Sequence, residues 1–453
     1  MPQHKAVALN IARPICVCSR MQSDYISRRR LLTRLGLGAA GGTLLGAAST
    51  PAAETTTPAS VPIALNVQDF GAVGDGNKDN TDAFTAAMKA AEAGNYAAFV
   101  PRGRYLLRGN LDVPSNVTVE GVFSAPSGGN KDNGSVLLAT GGAGDTTGKP
   151  FITLHTSSTL RGLTVFYPEQ KVKNPPVPYP WTIRGQGDNI SLMDILLVNP
   201  YQAVDFGTFP AGRHFINGLY GQPLYRGLFI DQCYDVGRVE NVHFWSFWGG
   251  WEGELYAFMR SEAIAFILAR TDWEFLSNCF CIGYRIGYHF IQNKSGPGNC
   301  VLTQCGSDIG PAAVRVEAGQ AQAGHSFVNC QFMAGIEIAK TNTGPVKFNS
   351  CGFWGIPTTD HHALLEGTGH TTFNTCHFNG WGQRDAKAAA VHARSGGLTV
   401  TACDFMDLGK AQVTLEPEVD AALIYGNRFR GKELITNRME SRAQIAMNVV
   451  SPR

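Results

Sequence analysis

Apolar and polar residues alternate in short runs through most of this chain, and in its C-terminal half the runs fall into a repeated cadence. It reads Val328-Asn329-Cys330-Gln331-Phe332, then Asn349-Ser350-Cys351-Gly352-Phe353, Asn374-Thr375-Cys376-His377-Phe378 and Thr401-Ala402-Cys403-Asp404-Phe405, with the cysteines about 21 to 27 residues apart. Ile424-Tyr425-Gly426-Asn427-Arg428-Phe429 repeats it once more, with Asn427 in the cysteine's place. A period of this length holds one supersecondary unit, which buries its apolar side only by stacking on the next. The unit is too short for two helices, and its period-two runs of β-branched, aromatic and cysteine residues predict strands. The expected fold is all-β, a parallel β-helix with three strands per coil.

One strand register can be followed by its inward apolar residues: Ile183, Val204, Leu228, Phe266, Tyr288, Val314, Ile336, Leu364, Val391 and Val413. A single step is long, between Leu228 and Phe266, where residues 244–256 add an aromatic-rich insertion containing Trp245, Trp248 and Trp251. Insertions in a solenoid bulge from one face and often build the binding surface. Strand neighbours of the inward residues point outward. They form a row of Thr182 and Arg184, Asp205, Phe229 and Asp231, Ile267, His289, Arg315 and Glu317, Glu337, Leu365 and His392.

Ahead of the coils, residues 67–82 read as a strand and a Gly-rich turn leading into an Asp/Asn-capped helix. The helix is expected over 81–93, with Phe84, Ala87, Met88 and Ala91 on one face, and it would cover the open end of the solenoid. Three pieces here carry a resemblance: Phe70-Gly71-Ala72-Val73-Gly74-Asp75-Gly76, Asp79-Asn80-Thr81-Asp82-Ala83 and Val100-Pro101-Arg102-Gly103-Arg104-Tyr105-Leu106-Leu107. Together they resemble the N-terminal signature of the pectate-lyase superfamily of right-handed parallel β-helix proteins, which includes polygalacturonases, rhamnogalacturonases, some β-glucanases and phage tailspikes. The resemblance implies a right-handed β-helix with an N-terminal capping helix, and a polysaccharide or oligosaccharide partner. It does not imply a reaction, because the signature is scaffold. The Asp-Asp and Gly-His-Gly motifs of polygalacturonases are absent.

Composition agrees with many short strands: of 453 residues 44% are hydrophobic and only 16% charged, with 52 glycines. A net charge of +2 favours neither nucleic acid nor a membrane surface as partner. Residues 27–32, Ser-Arg-Arg-Arg-Leu-Leu, precede a Gly/Ala-rich apolar run over 35–48 and resemble a twin-arginine export signal. The run falls short of the roughly 18–20 apolar residues of a membrane span. The expected organisation is therefore signal and preceding segment 1–53, linker 54–62, β-helix 63–436 and a tail 437–453. The expected location is periplasmic or extracellular, reached through the twin-arginine machinery. Of eleven cysteines, Cys16 and Cys18 fall in the signal, and the remaining nine are expected as free, buried thiols stacked in the coils. No C-x-x-C pair recurs, so neither a metal nor a cofactor is expected.

Cleaving a glycosidic bond by hydrolysis needs a carboxylic acid and a second carboxylate. Asp231 and Asp272, on adjacent coils beside the insertion, are the first candidates, with Asp205, Asp235 and Glu274 in reserve. Arg270 and His289 could hold a substrate carboxylate, and Trp181, Trp245, Trp248, Trp251 and Trp273 offer flat faces for sugar rings. The leading expectation is an exported glycoside hydrolase. A polysaccharide lyase or uronate epimerase is the alternative within enzymes, and a non-catalytic glycan-binding β-helix stands outside them. Edman sequencing of exported protein should begin between Ala48 and Glu54; a start before Ser27 would refute the signal.

Overall fold

The computed structural model describes residues 64–126 and 133–452, so the expected export signal and linker lie outside the described residues. Three parallel ladders run along a right-handed β-helix. The first passes from Ala64–Asn66 through Gly237–Phe244 to Ala443–Ala446, and the second from Asp75–Asp79 through Phe280–Ile282 to Val449–Ser451. The third, of 13 strands, passes from Leu111–Val113 to Ile435–Asn437. In the middle coils the long strands Ser191–Leu197, Phe215–Gly221 and Gly237–Phe244 serve both the first and the second ladder.

The cadence has a mechanical cause. Between the first and second ladders each late coil spends one residue in left-handed backbone: Asn278, Gln304, Asn329, Ser350, Thr375 and Ala402, with φ between 52° and 57°. That residue turns the chain, and the next points into the coil. The inward set is Cys279, Cys305, Cys330, Cys351, Cys376, Cys403 and then Asn427. The thiol of Cys330 lies 3.5 Å from the Val328 carbonyl and 3.6 Å from Leu302 of the coil before, and its neighbours repeat this pattern. Asn427 satisfies the same corner with true hydrogen bonds, donating to Val400 O at 2.9 Å and accepting from the Cys403 N–H. All nine described cysteines are free and buried. Burial pushes the Cys281 thiol up to about 12, so it stays protonated and inert.

Beside the thiols run two columns of phenylalanine. Phe327, Phe348 and Phe373 stack at 4.6 and 5.1 Å. Phe353, Phe378 and Phe405 stack at 4.8 and 4.7 Å, and Phe429 follows tilted at 5.3 Å. Buried area and ring contact favour the same register, one coil above the next.

The capping helix spans Thr81–Gly94 and buries Phe84, Ala87, Met88 and Ala91. Asn80 does not cap it. Its carboxamide turns inward to accept from Val73 N–H and donate to the Leu106 carbonyl, and Asp79 takes the Thr81 N–H and hydroxyl instead. The expected inward register holds from Ile183 to Ile336. On the next coil Ala363 pairs with Ile336, and Leu364 faces out. The strand Ala363–Leu365 is apolar throughout, so no polar residue marked its phase. Residues 437–452, expected as a tail, continue the solenoid through Ala443–Ala446 and Val449–Ser451.

Replacing Phe348 with alanine removes the middle ring of its column and should cost about 3–5 kcal/mol. Chemical denaturation checks this; an unchanged midpoint would show that the column does not hold the coils.

Candidate functional site: a cleft on the third ladder

Register places Arg184, Asp205, Phe229, Ile267, His289, Arg315, Glu337, Leu364 and His392 in one file along the outer face of the third ladder. In the middle of the file the side chains are apolar. Phe229, Ile264, Ile267 and Ile291, with Trp181 stacked on Phe229 at 6.3 Å, floor an open cleft of about 370 Å³. Arg226, Arg285 and His289 complete its lining.

The insertion positions both arginines. Its helix, Gly253–Glu262, packs Phe258 against Tyr225, and the Arg226 guanidinium lies 4.3 Å from the Tyr225 ring centre while donating to its hydroxyl. The Arg285 backbone N–H donates to the Met259 carbonyl of the same helix. Neither guanidinium has a carboxylate partner among the described residues, and the buried Arg285 Nε has no hydrogen-bond partner.

His289 Nε2 lies 3.1 Å from Glu317 Oε1, out of hydrogen-bond alignment. Glu317 also accepts from Arg315 Nε at 2.8 Å, and Arg315 Nη1 reaches Glu337 on the next coil at 2.6 Å. Burial lowers the His289 pKa, Arg315 and Arg285 add to this, and Glu317 offsets only part, so the imidazole is neutral at pH 7. Burial works the other way on Glu317, but Arg315 and His289 outweigh it and hold the carboxyl below its ordinary range. The assembly is an aromatic floor, two cations without a carboxylate partner, a neutral imidazole and an ionised carboxylate behind it.

A family profile described as "Rhamnogalacturonase A/epimerase, pectate lyase-like" matches residues 64–140, the cap and first coils. Over that stretch the chain resembles the pectate-lyase-like group, and its three parallel ladders form a parallel β-helix. Alginate lyase 7 of Azotobacter vinelandii is 44% identical over 64 residues, which is 12% of this chain and only 8% of that protein. Among solved structures, the N-terminal fragment of bacteriophage phi29 gene product 12 superposes with a TM-score of 0.60 at 12% identity, covering 84% of this chain and 72% of its own. The A-module of the mannuronan C-5 epimerase AlgE6 of Azotobacter vinelandii gives 0.54 at 13% identity, covering 86% and 99%. Both share the fold.

Within this β-helix the acidic residues singled out by sequence sit at corners. Asp231 is 4% exposed; it accepts from the N–H groups of Gln232 and Arg270 and from Asn293 Nδ2. Asp272 pairs with Arg270 at 2.9 Å and accepts from Gln320. Arg270 therefore joins the two, and neither Asp lines the cleft. Asp205 is fully buried against Arg184 at 2.6 Å and caps the Gly207 and Thr208 amides. Asp235 is exposed and pairs with Arg213. Glu274 faces into the coil, 0% exposed, against His214. Of the five tryptophans only Trp181 lines the cleft; Trp245 packs on His243 and Phe247, Trp248 on the core, and Trp251 and Trp273 are exposed elsewhere.

Arg226 and Arg285 escaped the sequence reading. Arg226 shares the phase of inward Leu228, and period two assigns it to the core. A guanidinium cannot lie there unpaired, which was the available signal that the strand begins at a corner. Substituting Asp231 with alanine would leave two amides and Asn293 without their acceptor and should cost about 1–3 kcal/mol. Denaturation would show no change if that corner were solvated instead.

Proposed function

We propose that this protein is a carbohydrate-active enzyme whose substrate is a polysaccharide containing uronic acid, and that it acts by taking the proton from C5 of the sugar. The observation that carries this is a pair of guanidiniums without a carboxylate partner, lining one cleft with neutral His289 over an aromatic floor. Trp181 and Phe229 stack on a sugar ring, and Arg226 and Arg285 bind its carboxylate. Neutralising that carboxylate acidifies the neighbouring C–H bond. His289 accepts the proton as general base, and Glu317 stabilises the imidazolium that forms. The electron pair left on C5 is spread into the carboxylate held by the arginines. From there either the C4–O bond breaks, the C5 electron pair forming a C4=C5 double bond while the leaving oxygen takes a proton from water, or water returns a proton to the opposite face and inverts C5.

The relatives' names accord with this: one Azotobacter vinelandii protein is named a lyase and the other a C-5 epimerase. Hydrolysis, the leading expectation from sequence, finds less support. It needs a carboxyl that is protonated at working pH, whereas Glu317 is held ionised and Asp231 and Asp272 are bound up with Arg270. The motif at 27–32 supports work outside the cytoplasm.

His289→Ala should lower kcat on an acidic polysaccharide by about 10²-fold or more while leaving binding intact. Arg285→Ala should raise KM for the acidic polymer. The wild-type rate should fall on acidification with a midpoint below 6.5, the ordinary imidazole value, because only the neutral ring accepts a proton. Rates read from ultraviolet absorbance and product NMR check all three. Equal rates on neutral glycans, or an unaffected His289→Ala, would overturn the proposal.

A further inference from the structure

Away from the cleft, the interior column at the corner between the third and first ladders holds a polar cluster that the proposed reaction does not use. His214, Gly237 and Glu274 occupy equivalent positions on three consecutive coils, each immediately before or at the start of a first-ladder strand. Gly237 is the gap in the column. A Cβ there would overlap both Glu274 carboxylate oxygens and the His214 ring, so its absence lets the carboxylate reach across to the imidazole. Cys233, on the turn before Gly237, brings its sulfur within reach of both while its thiol donates to the Asp235 carbonyl at 2.8 Å.

The donor atoms converge. His214 Nε2, Cys233 Sγ and a Glu274 carboxylate oxygen all lie within 4.8 Å of one another, and all three residues are 0% exposed. His214 Nδ1 lies 2.7 Å from the Ala211 carbonyl, which can only accept, so Nδ1 carries the hydrogen. Nε2 faces Glu274 Oε1 at 2.9 Å. A proton therefore lies between Nε2 and Oε1, and an entering ion would take its place, while the Nδ1–H···O=C contact is one that orients histidine ligands. The second carboxylate oxygen, Glu274 Oε2, is buried without any hydrogen-bond partner. Leaving such an atom bare is unfavourable, the more so when it is charged.

We propose that His214, Cys233 and Glu274 bind a divalent cation of the zinc class, through the imidazole Nε2, the thiolate and both carboxylate oxygens. Mixed nitrogen, sulfur and oxygen donors suit a borderline-soft ion and would give four contacts from three side chains. The thiol proton and the proton between Nε2 and Oε1 are both released to solvent when the ion enters. His214 and Cys233 precede the insertion and Glu274 follows it, so the ion ties together the coils on its two sides. Its role is structural, since no substrate reaches the site. Ligand spacing along the chain gave no hint of it, because coil stacking rather than a local motif brings the three residues together.

The test uses the full chain produced in medium supplemented with zinc, and in parallel with cobalt, because a sealed site fills as the protein folds. Elemental analysis and native mass spectrometry should find one metal ion per chain. The cobalt protein should show a thiolate-to-metal charge-transfer band that Cys233→Ser abolishes, and Glu274→Gln should reduce metal retention. Metal-free protein from both cultures would overturn the proposal, and so would bound cobalt without the thiolate band or with a band that survives Cys233→Ser. If a variant fails to fold, the metal content and spectrum of the unaltered chain decide by themselves.

Discussion

The structure depends on the requirement that each coil lie on the last in register, with backbone N–H groups of one coil meeting carbonyls of the next. Three ladders can close into a coil only if the chain turns sharply between them, and the turn between the first two is made by one left-handed residue per coil. That turn determines which residue comes next to the interior, and the interior there admits only a small side chain able to face two carbonyls. Cysteine fits in six coils and asparagine in the seventh. The Cys-x-Phe cadence is thus the sequence record of a corner. No disulfide chemistry is involved, since every described thiol is free.

The same register makes a functional surface possible. Coils about 4.8 Å apart bring outward residues from distant parts of the chain into one file. The break in the period then gives the file its special region. The insertion helix covers no active residue itself; it braces Tyr225 beneath Arg226 and holds the backbone of Arg285. Carboxylates at the corners are consumed by backbone amides and arginines, as with Asp205 and Asp231. In the cleft, Arg226 and Arg285 are left without a carboxylate partner among the described residues.

Much of the architecture could be read before the structure. The period, the capping helix with Phe84, Ala87, Met88 and Ala91, and most of the outward file follow from period-two and period-3.6 patterns. Reading failed where pattern carried no phase information. Leu364 was misplaced by one residue in an all-apolar strand, and Arg226 was hidden by an inward phase at a strand's first residue. Glu274 stands among the reserve catalytic carboxylates, yet it enters the coil, where Gly237 leaves room and His214 supplies a partner. Acidic residues near an insertion were natural candidates for catalysis, but exposure and partners decide their role, and those depend on coils far away in sequence.

The central claim is that the third-ladder cleft removes the C5 proton of a uronic-acid unit. It is tested most directly by incubating the purified protein with an acidic polysaccharide in deuterium oxide and following the sugar by NMR. The account predicts deuterium appearing at C5, or loss of the C5 hydrogen into a C4=C5 double bond, with neither seen for the His289→Ala variant. New reducing ends with every C5 hydrogen retained would contradict it.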